Sequence, residues 1–511
     1  MGNLLKFLFS RMVIVGLLIL FQLGILIFTI WKLSESFVYL YVLFTVISLI
    51  AVIYILSTKD NPSYKLAWVI PVLLVPVFGG LFYLLFGSRR TTKKFRARVS
   101  NIYNETAKYL VQDEGILNEI EEEDKSFANQ VRYLNNYAES PIYKNTITKY
   151  LSPGEVFFEE LKKELRKAKK YIFMEYFIIQ EGVMWDSILE ILEEKVKEGV
   201  EVRLIYDDMG CLQTLPYKYY EKIRSKGIKC LVFNPFVPFL SVIMNNRDHR
   251  KITVIDGHTA FTGGINLADE YINEIVRFGH WKDASIILKG DAVWNLTMMF
   301  LQAWKFTCGE NEDYEKYKPN INYEGIFEND GYVQPYGDSP LDDEMVGEYV
   351  YLNIINKAEK YIYINTPYLI VDNELVTALS LAAKNGVEVI IVTPHIEDKW
   401  YVHLVTRANY AQLIEAGVKI YEYTPGFIHS KTFVSDDKIG VVGTINMDYR
   451  SLYLHFENGV LLYKTKSVLE IKEDFLETLK VCQEITLEDC YRVKWSNKFI
   501  TSILRVFSPL M

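Results

Sequence analysis

The sequence lacks the residue patterns of a metal centre or of a disulfide scaffold. Its 511 residues contain only five cysteines, an odd number with no Cys-x-x-Cys pair and no Cys/His spacing. Structural zinc sites and disulfide frameworks depend on such spacings. The pattern therefore predicts reduced thiols in a cytosol-facing domain, with no metal ion and no cofactor.

The chain also lacks an overall positive charge. Its formal net charge is -8 at pH 7, although local basic runs exist. Proteins that bind nucleic acid through the phosphate backbone usually carry a basic face or an extended basic groove lined with aromatic side chains. The sequence therefore predicts no nucleic-acid partner.

One stretch of 18 residues occurs twice. It reads HRKITVIDGHTAFTGGIN from His249 and HSKTFVSDDKIGVVGTIN from His429, 180 residues later. Both copies place Lys two, Asp seven, Gly fourteen and Asn seventeen residues after the His. Because all four spacings match, the sequence predicts an internal duplication.

Each copy has the composition of a β-hairpin, with Ile, Val, Thr and Phe on both sides of an Asp-Gly or Asp-Asp turn. Alternate residues of a strand face the same side, so the His and Lys of each copy project together. An imidazole, an ammonium and a carboxamide suit a phosphodiester: one His attacks phosphorus and the other acts as acid and base. The predicted site residues are His249, Lys251, Asn266, His429, Lys431 and Asn446.

Carboxylates are expected to orient the two imidazoles. Asp283 and Glu457 lie in apolar, strand-like segments downstream of the first and the second motif, so each is assigned to its own motif. Asp256 and Asp436 belong to the repeated motif and are kept among the catalytic candidates. Because Asp is favoured at turns for backbone reasons, a structural role is the preferred interpretation for both.

The doubled His-x-Lys-x4-Asp motif, with GGIN and GTIN after it, resembles the phospholipase D superfamily. The sequence around the motifs is similar to that of the bacterial cardiolipin synthases over nearly the whole chain, including the segments EYFI, HWKD and NTPYLI. The resemblance implies two similar α/β halves around one site, a metal-free phosphohistidine mechanism, and His249 as the favoured nucleophile. It also implies that one phosphatidylglycerol transfers its phosphatidyl group to another, giving cardiolipin and glycerol.

Four other functions use the same residues or the same fold. A hydrolytic phospholipase D, or another phosphatidyl headgroup transferase, would differ only in the acceptor that reaches the phosphohistidine. An inactive membrane scaffold would be expected to have lost some motif residues, and none is lost here. A nuclease is disfavoured by the apolar N-terminus. The oligomeric state is left open.

The N-terminal region contains three apolar runs. Residues 12–31 and 37–56 are each long enough to span a bilayer of about 30 Å, whereas residues 66–86 carry Pro71, Pro76, Gly79 and Gly80. Two spans with a re-entrant segment and three spans both fit. The Lys/Arg cluster at 89–98 predicts that everything downstream faces the cytoplasm, so a multi-pass protein of the cell membrane is expected.

Strand and helix patterns alternate from Leu151 and repeat from Ala358, which predicts two α/β domains with mostly parallel sheets. The predicted division is 1–90 membrane segment, 91–150 connector, 151–335 and 336–490 phospholipase D-like halves, and 491–511 C-terminal helix. The apolar stretch with Phe236 and Phe239 could be a membrane-facing lip or a packed loop. Arg407 could hold a lipid phosphate or be an exposed helical residue, and the C-terminal helix could lie on the membrane or on the catalytic domain.

Overall fold

The structure is a computed structural model that describes residues 11–36, 38–87, 93–236, 245–319, 321, 323, 326, 331–492 and 495–510. Its strands are β1 (Thr146–Leu151), β2 (Tyr171–Tyr176), β3 (Glu201–Asp207), β4 (Lys229–Phe233), β5 (Arg247–Asp248), β6 (Ile252–Ile255), β7 (Thr259–Gly263), β8 (His280–Lys282), β9 (Ser285–Gly290), β10 (Tyr332–Asp338), β11 (Tyr361–Asn365), β12 (Leu369–Ile370), β13 (Glu388–Pro394), β14 (Lys419–Tyr423), β15 (Gly426–Ile428), β16 (Thr432–Ser435), β17 (Ile439–Gly443), β18 (Met447–Asp448), β19 (His455–Tyr463) and β20 (Cys482–Ile485).

The α-helices are α1 (Arg11–Ser36), α2 (Val38–Ser57), α3 (Pro62–Leu74), α4 (Pro76–Phe82), α5 (Lys93–Thr106), α6 (Glu114–Glu123), α7 (Lys125–Ala138), α8 (Gly154–Leu165), α9 (Val183–Lys197), α10 (Tyr219–Ser225), α11 (Val293–Cys308), α12 (Val346–Lys357), α13 (Asn373–Lys384), α14 (Trp400–Ala408), α15 (Tyr410–Glu415), α16 (Tyr449–Tyr453), α17 (Lys466–Leu479), α18 (Leu487–Tyr491) and α19 (Trp495–Phe507). A π-helical turn at Tyr83–Gly87 and short 3-10 turns complete the described helical structure.

Two sheets repeat one strand order. The first runs β1-β9-β7-β6-β2-β3-β4, and the second runs β10-β19-β17-β16-β11-β13-β14 with β20 added at its edge. The strands correspond one to one along the shared order. The predicted α/β fold with two similar halves is confirmed.

The sheets are mixed, so the prediction of mostly parallel sheets is wrong. Strands β2, β3 and β4 pair in parallel, as do β11, β13 and β14. The pairs on the other side of β2 and β11 are antiparallel. Helical crossovers produce the parallel part, whereas the motif hairpin and its return strand produce the antiparallel part.

A long helix of each half packs on its own sheet and also contacts an edge strand of the other half. Helix α11 of the first half packs against β10 of the second, and α17 of the second packs against β1 of the first. The Thr148 and Ser467 hydroxyls lie 2.9 Å apart, and the Tyr150 hydroxyl donates to Asp474 over 3.0 Å. A continuous apolar core contains side chains from both sheets. Burial of this shared surface joins the halves.

Four helices form the described part of the N-terminal region. The third apolar run is broken at Val75, between α3 and α4, as its prolines suggest. A Cβ at Gly80 would lie 2.5 Å from the Ser48 Oγ atom, so the absence of a side chain lets α4 approach α2. None of the helices within the described ranges combines the length and the apolar character expected of a membrane span.

Both ends of the chain pack on the second half. The Asn61 amide donates to the Asp372 carboxylate over 3.0 Å and to the Tyr453 hydroxyl over 3.1 Å. Helix α19 contacts α14 and α3, which fits packing on the domain, although Phe499 and Ile503 on it are exposed. Helix α3 and the C-terminal residues 508–510 therefore meet near α16, the helix that precedes β19.

Candidate active site

The short strands beside the motif histidines pair with strands of the opposite half. In β5, Asp248 pairs with Phe456 of β19, and in β15, Ile428 pairs with Lys282 of β8. Each motif histidine follows immediately, so its backbone is fixed by the other half of the molecule. The two motifs therefore meet at the junction between the halves.

Backbone hydrogen bonds continue this exchange. The His249 N–H donates to the Phe456 carbonyl over 2.9 Å, and the His429 N–H donates to the Lys282 carbonyl over 2.7 Å. The residue after each accepting carbonyl is an acid, Glu457 in one case and Asp283 in the other. This arrangement delivers a carboxylate to each imidazole from across the junction.

The side-chain contacts follow the same crossed pattern. His249 Nδ1 lies 2.9 and 3.0 Å from the two Glu457 oxygens, and His429 Nδ1 lies 2.6 Å from Asp283 Oδ2. The assignment of each acid to its own motif is therefore wrong, because the strand exchange carries each acid to the opposite histidine. A carboxylate on Nδ1 favours the tautomer with a free lone pair on Nε2.

The two motif lysines are buried at the same junction. Lys251 Nζ donates to the His249 carbonyl over 2.5 Å, and Lys431 Nζ donates to the His429 carbonyl. Lys431 Nζ also lies 2.9 Å from His429 Nδ1, but the single hydrogen on that nitrogen belongs to the shorter contact with Asp283. Burial lowers the pKa of Lys251 to about 7 and that of Lys431 to about 8.

The electrostatics identify one shared site. Burial, followed by the charges of Lys251, Lys431 and His429, holds the pKa of His249 well below its usual value. Burial and Lys431 lower the pKa of His429 to about 4, although Asp283 opposes this shift. Burial alone would raise the pKa of Asp283, but His429 and Lys431 hold it below its usual value. Both imidazoles are therefore neutral near pH 7.

The two motif asparagines brace neighbouring loops. Asn266 accepts from the Ile178 N–H over 3.0 Å and donates to the Tyr271 hydroxyl over 2.7 Å. The Asn446 amide donates to the Ser451 hydroxyl over 3.1 Å. Their predicted contact with phosphate oxygens stays a proposal.

The two motif aspartates bind backbone at the far end of each hairpin. Asp256 has φ 52° and Asp436 has φ 57°, both in the left-handed region at the turn. Each carboxylate accepts three backbone N–H bonds at the start of the neighbouring strand. The donors are Lys169, Lys170 and Tyr171 for Asp256, and Glu359, Lys360 and Tyr361 for Asp436. These contacts fit the structural interpretation and leave no oxygen aimed at the histidines.

At one motif position the two halves have different residues, and the contacts of the neighbouring carboxylate differ as a result. Gly264 lies against Asp283, where a Cβ would be only 2.1 Å from Asp283 Oδ1. The corresponding Thr444 instead donates its hydroxyl to Glu457 Oε2 over 2.5 Å. Each acid therefore accepts one further hydrogen bond, from the Thr444 hydroxyl on the His249 side and from the Ala284 N–H on the His429 side.

A second difference was missed by sequence reasoning. The strand registers align Trp281, two residues before Asp283, with His455, two residues before Glu457. The Trp281 ring lies 5.2 Å from the His429 ring, and the His455 ring lies 5.5 Å from the His249 ring. The segments HWKD and HFEN do not show this, because matching them by their first residue would align His455 with His280; only the register makes Trp281 and His455 equivalent.

Two groups of described side chains have donor atoms close enough to hold a metal ion. One consists of His249, His455 and Glu457, and the other of Glu348, Asp372 and Glu374. The second group is already in contact with Tyr453, whose hydroxyl lies 2.6 Å from Asp372 Oδ2 and 3.0 Å from Glu348 Oε2. The first group overlaps the motif site.

The remaining predicted residues are Arg407, the two phenylalanines of the apolar stretch and the basic cluster at 89–98. Arg407 makes two hydrogen bonds of 2.6 and 2.7 Å to the buried Glu422, so its guanidinium is engaged in an ion pair. Phe236 is buried, which fits a packed loop, whereas Phe239 and the rest of 237–244 lie outside the described residues. Arg89 and Arg90 also lie outside them.

Comparison with known proteins gives the family. A family model described as "Cardiolipin synthase, PLD-like domain" matches residues 161–277 and 351–479, once in each half. A protein of Halalkalibacterium halodurans named cardiolipin synthase is 35% identical, over 92% of this chain and 93% of its own. The chain belongs to the cardiolipin synthase family. The resemblance inferred from the doubled motif is thereby confirmed.

Other matches agree with membership of the cardiolipin synthase family. A model described as "Phospholipase_D-nuclease N-terminal" matches residues 46–88. A Streptococcus mutans protein, called only uncharacterized, is 45% identical over 90% of this chain and 99% of its own. The structure of Haemophilus influenzae phosphatidylserine synthase has a TM-score of 0.54 and 14% identity, covering 75% of this chain and 97% of that one. This likeness supports the shared fold.

Proposed function

We propose that this member of the cardiolipin synthase family is a phosphatidyltransferase that joins two phosphatidylglycerol molecules into cardiolipin and releases glycerol. The observation that carries the proposal is the pair of buried imidazoles, each held at Nδ1 by a carboxylate from the opposite half. Such a pair can supply one nucleophile and one acid-base group to the same phosphorus.

In the first step, His249 Nε2 attacks the phosphorus of a bound phosphatidylglycerol. The bond from phosphorus to the glycerol oxygen breaks, and His429 gives that oxygen a proton. Glu457 stabilises the positive charge that develops on the His249 ring. The negative charge of the bound diester favours the protonated form of His429, which the free site disfavours.

In the second step, the hydroxyl of another phosphatidylglycerol attacks the phosphohistidine. The neutral His429 removes the hydroxyl proton, and His249 leaves as the free imidazole. Lys251 and Lys431 stabilise the charge on the non-bridging oxygens during both steps, and Asn266 and Asn446 are proposed to complete the cradle. Asp283 keeps His429 in the orientation that proton transfer requires.

Hydrolysis is the second candidate for the same site. Water would resolve the phosphohistidine to phosphatidic acid with every residue in the same role, so the acceptor alone separates the two reactions. Family membership favours a lipid alcohol over water. Transfer to a different headgroup alcohol is separated by the same product analysis.

The location is proposed to be the cell membrane, with the catalytic halves facing the cytoplasm. Large apolar side chains of α1 and α2 are exposed, among them Leu20, Phe21, Val38 and Ile53, and a bilayer would cover such a surface. The multi-pass topology, with two spans and a re-entrant segment or with three spans, follows from the sequence pattern and belongs to this proposal.

The test uses the full-length protein with labelled phosphatidylglycerol in vesicles. His249→Ala and His429→Ala should each lower cardiolipin formation by about 10³-fold or more, because each removes a group that acts in bond making or breaking. His258→Ala is the matched control, since His258 lies in the hairpin turn and contacts Thr259 at 2.9 Å. Its rate should stay within a few-fold of the parent.

Three outcomes decide the reaction. Cardiolipin production retained by both histidine variants would refute the mechanism. Phosphatidic acid as the only product of the parent protein would make it a hydrolase. An inactive parent protein that still folds and binds membranes would support the scaffold alternative.

A further inference from the structure

His455 stands out among the buried side chains near the site because the proposed mechanism does not use it. It is 7% exposed, and its Nδ1 atom has no hydrogen-bond partner among the described residues. The nearest acidic atom, Glu457 Oε1, is 3.7 Å away, beyond hydrogen-bond distance. Buried nitrogens without a partner are uncommon and call for a physical explanation.

The same carboxylate already contacts His249. Glu457 Oε1 therefore lies 2.9 Å from one imidazole nitrogen and 3.7 Å from another, and the three donor atoms lie within 4.8 Å of one another. Four ligands around zinc at about 2.0–2.1 Å are roughly 3.3 Å apart in a tetrahedron. The two measured separations fall on either side of that value, so small ring rotations would complete three of the four positions.

The donor set also selects the class of metal. Two imidazole nitrogens with one carboxylate suit Zn²⁺ and similar borderline transition metals, whereas Mg²⁺ and Ca²⁺ prefer oxygen ligands. An imidazole must be neutral at the binding nitrogen, and neither ring has to give up a stabilised charge in this buried environment.

We propose that His249, His455 and Glu457 form a three-ligand Zn²⁺ site, and that the metal reversibly inhibits the enzyme. The site itself does not depend on the reaction, whereas the inhibition rests on the proposed function of His249. Lys251 and Lys431 place positive charge close to the site, which disfavours a dication and keeps its affinity below that of a structural zinc site.

The inhibition follows from the tautomer that the metal requires. A metal on His249 Nδ1 uses the lone pair of that nitrogen, so the ring proton must reside on Nε2. A protonated Nε2 has no lone pair for attack on phosphorus. The metal also displaces the hydrogen bond to Glu457, so it locks His249 in the form that cannot act.

The opposite half cannot build the same site. The position of His455 is occupied there by Trp281, whose indole N–H only donates. Among the residues that the structure describes, His429 and Asp283 therefore provide two donors without a third, and zinc should act on one histidine of the pair. A single zinc per chain is expected.

The first arm of the test measures binding without any substrate. Full-length protein in detergent micelles is titrated with Zn²⁺ against a chromophoric chelator. The parent protein and His258→Ala should each show one competing site per chain, and His455→Asn should lose it, with at least a tenfold fall in affinity. Equal zinc binding by the parent protein and His455→Asn would overturn the site.

The second arm measures cardiolipin formation. Zn²⁺ should inhibit the parent protein and His258→Ala, excess chelator should restore the rate, and Mg²⁺ at the same concentration should not inhibit. His455→Asn, and His455→Trp as a second variant that copies the opposite half, should keep the basal rate within a few-fold and resist Zn²⁺ at least tenfold better. Equal zinc sensitivity in all variants would overturn the inhibition. Loss of cardiolipin formation in the parent protein would refute the proposed function and leave the binding arm to decide the site.

Discussion

The two motif histidines lie in the same strand arrangement, here called the frame, but the side chains that contact their carboxylates differ. His249 is held by Glu457, which also accepts from Thr444 and lies beside His455. His429 is held by Asp283, with Gly264 against that acid and the Trp281 ring above the imidazole. The frame repeats because the strand order repeats, whereas the side chains around each acid differ.

The difference between the residues around Glu457 and those around Asp283 shows where the chemistry of a duplicated fold can diverge. The hairpin, the lysine and the turn aspartate fix the position of each imidazole, and they match between the halves. The side chains that contact the carboxylates are free to change without moving the imidazoles. A nucleophile and an acid-base group need different proton affinities, so divergence at the acids can separate two roles on one frame.

The largest expected effect comes from neutralising the crossed acids. Glu457→Gln and Asp283→Asn should each lower cardiolipin formation by about 10²–10⁴-fold, because the imidazole loses the partner that fixes its tautomer and stabilises its charge. Single-turnover measurements should show which step of the reaction each substitution slows. Glu457→Gln should slow formation of the phosphohistidine on His249.

Asp283→Asn should instead weaken proton transfer at His429 in both steps. The rate at which added phosphatidylglycerol resolves a preformed phosphohistidine should fall in Asp283→Asn and stay nearly unchanged in Glu457→Gln. If the resolution rate fell in Glu457→Gln and stayed nearly unchanged in Asp283→Asn, the crossed pairing would be wrong, and each acid would serve the histidine of its own motif.

The next effect compares the positions of Gly264 and Thr444. Gly264→Ala places a Cβ 2.1 Å from Asp283 Oδ1, so the acid must move, and the turnover number should fall about 10–100-fold because a displacement near 1 Å has that order of effect. Thr444→Val removes one hydrogen bond from Glu457 and should lower turnover less than tenfold. Steady-state kinetics on both variants, with circular dichroism as the control for folding, checks the order. Equal losses would remove the proposed asymmetry.

A smaller effect is expected from pH. The first step needs a neutral His249, and burial holds the pKa of His249 well below its usual value, so protonation of the nucleophile should not lower kcat/KM between pH 8 and pH 6. The phosphate cradle needs cationic lysines, and the pKa values of Lys251 and Lys431 are about 7 and 8. The alkaline decrease should therefore begin near pH 7 in free enzyme. A kcat/KM that keeps rising through pH 8 would contradict the role of the lysines.

The smallest effect on turnover is expected from the turn aspartates. Asp256→Ala and Asp436→Ala each leave three backbone N–H groups without their acceptor. The cost should be about 1–3 kcal/mol of unfolding free energy, while turnover per folded molecule stays within a few-fold. Thermal unfolding and active-site titration measure the two quantities separately. A large fall in turnover without loss of stability would make these residues catalytic.

Much of the frame could be predicted from the sequence, because it depends on local patterns. The doubled motif, its exact spacing and its hairpin composition predicted the two halves and the residues around each histidine. Pro71, Pro76 and the neighbouring glycines predicted the break in the third apolar run. The turn preference of Asp predicted the structural contacts of Asp256.

The errors arose where partners are distant in the chain. The crossed pairing of Glu457 with His249 spans 208 residues, and no local pattern encodes which half an acid will serve. The mixed sheets were missed because the antiparallel hairpins and the helical crossovers share one sheet. His455 gave no motif signal, since its position has meaning only through the strand register with β5.

The most direct test of the account is to identify the histidine that carries the phosphatidyl group. Labelled phosphatidylglycerol is mixed with the full-length protein, the reaction is quenched under conditions that preserve phosphohistidine, and the labelled peptide is sequenced by mass spectrometry. Label is expected on His249, retained in His258→Ala and absent from His249→Ala. Label on His429 in the parent protein would contradict the assigned division of roles between the two halves.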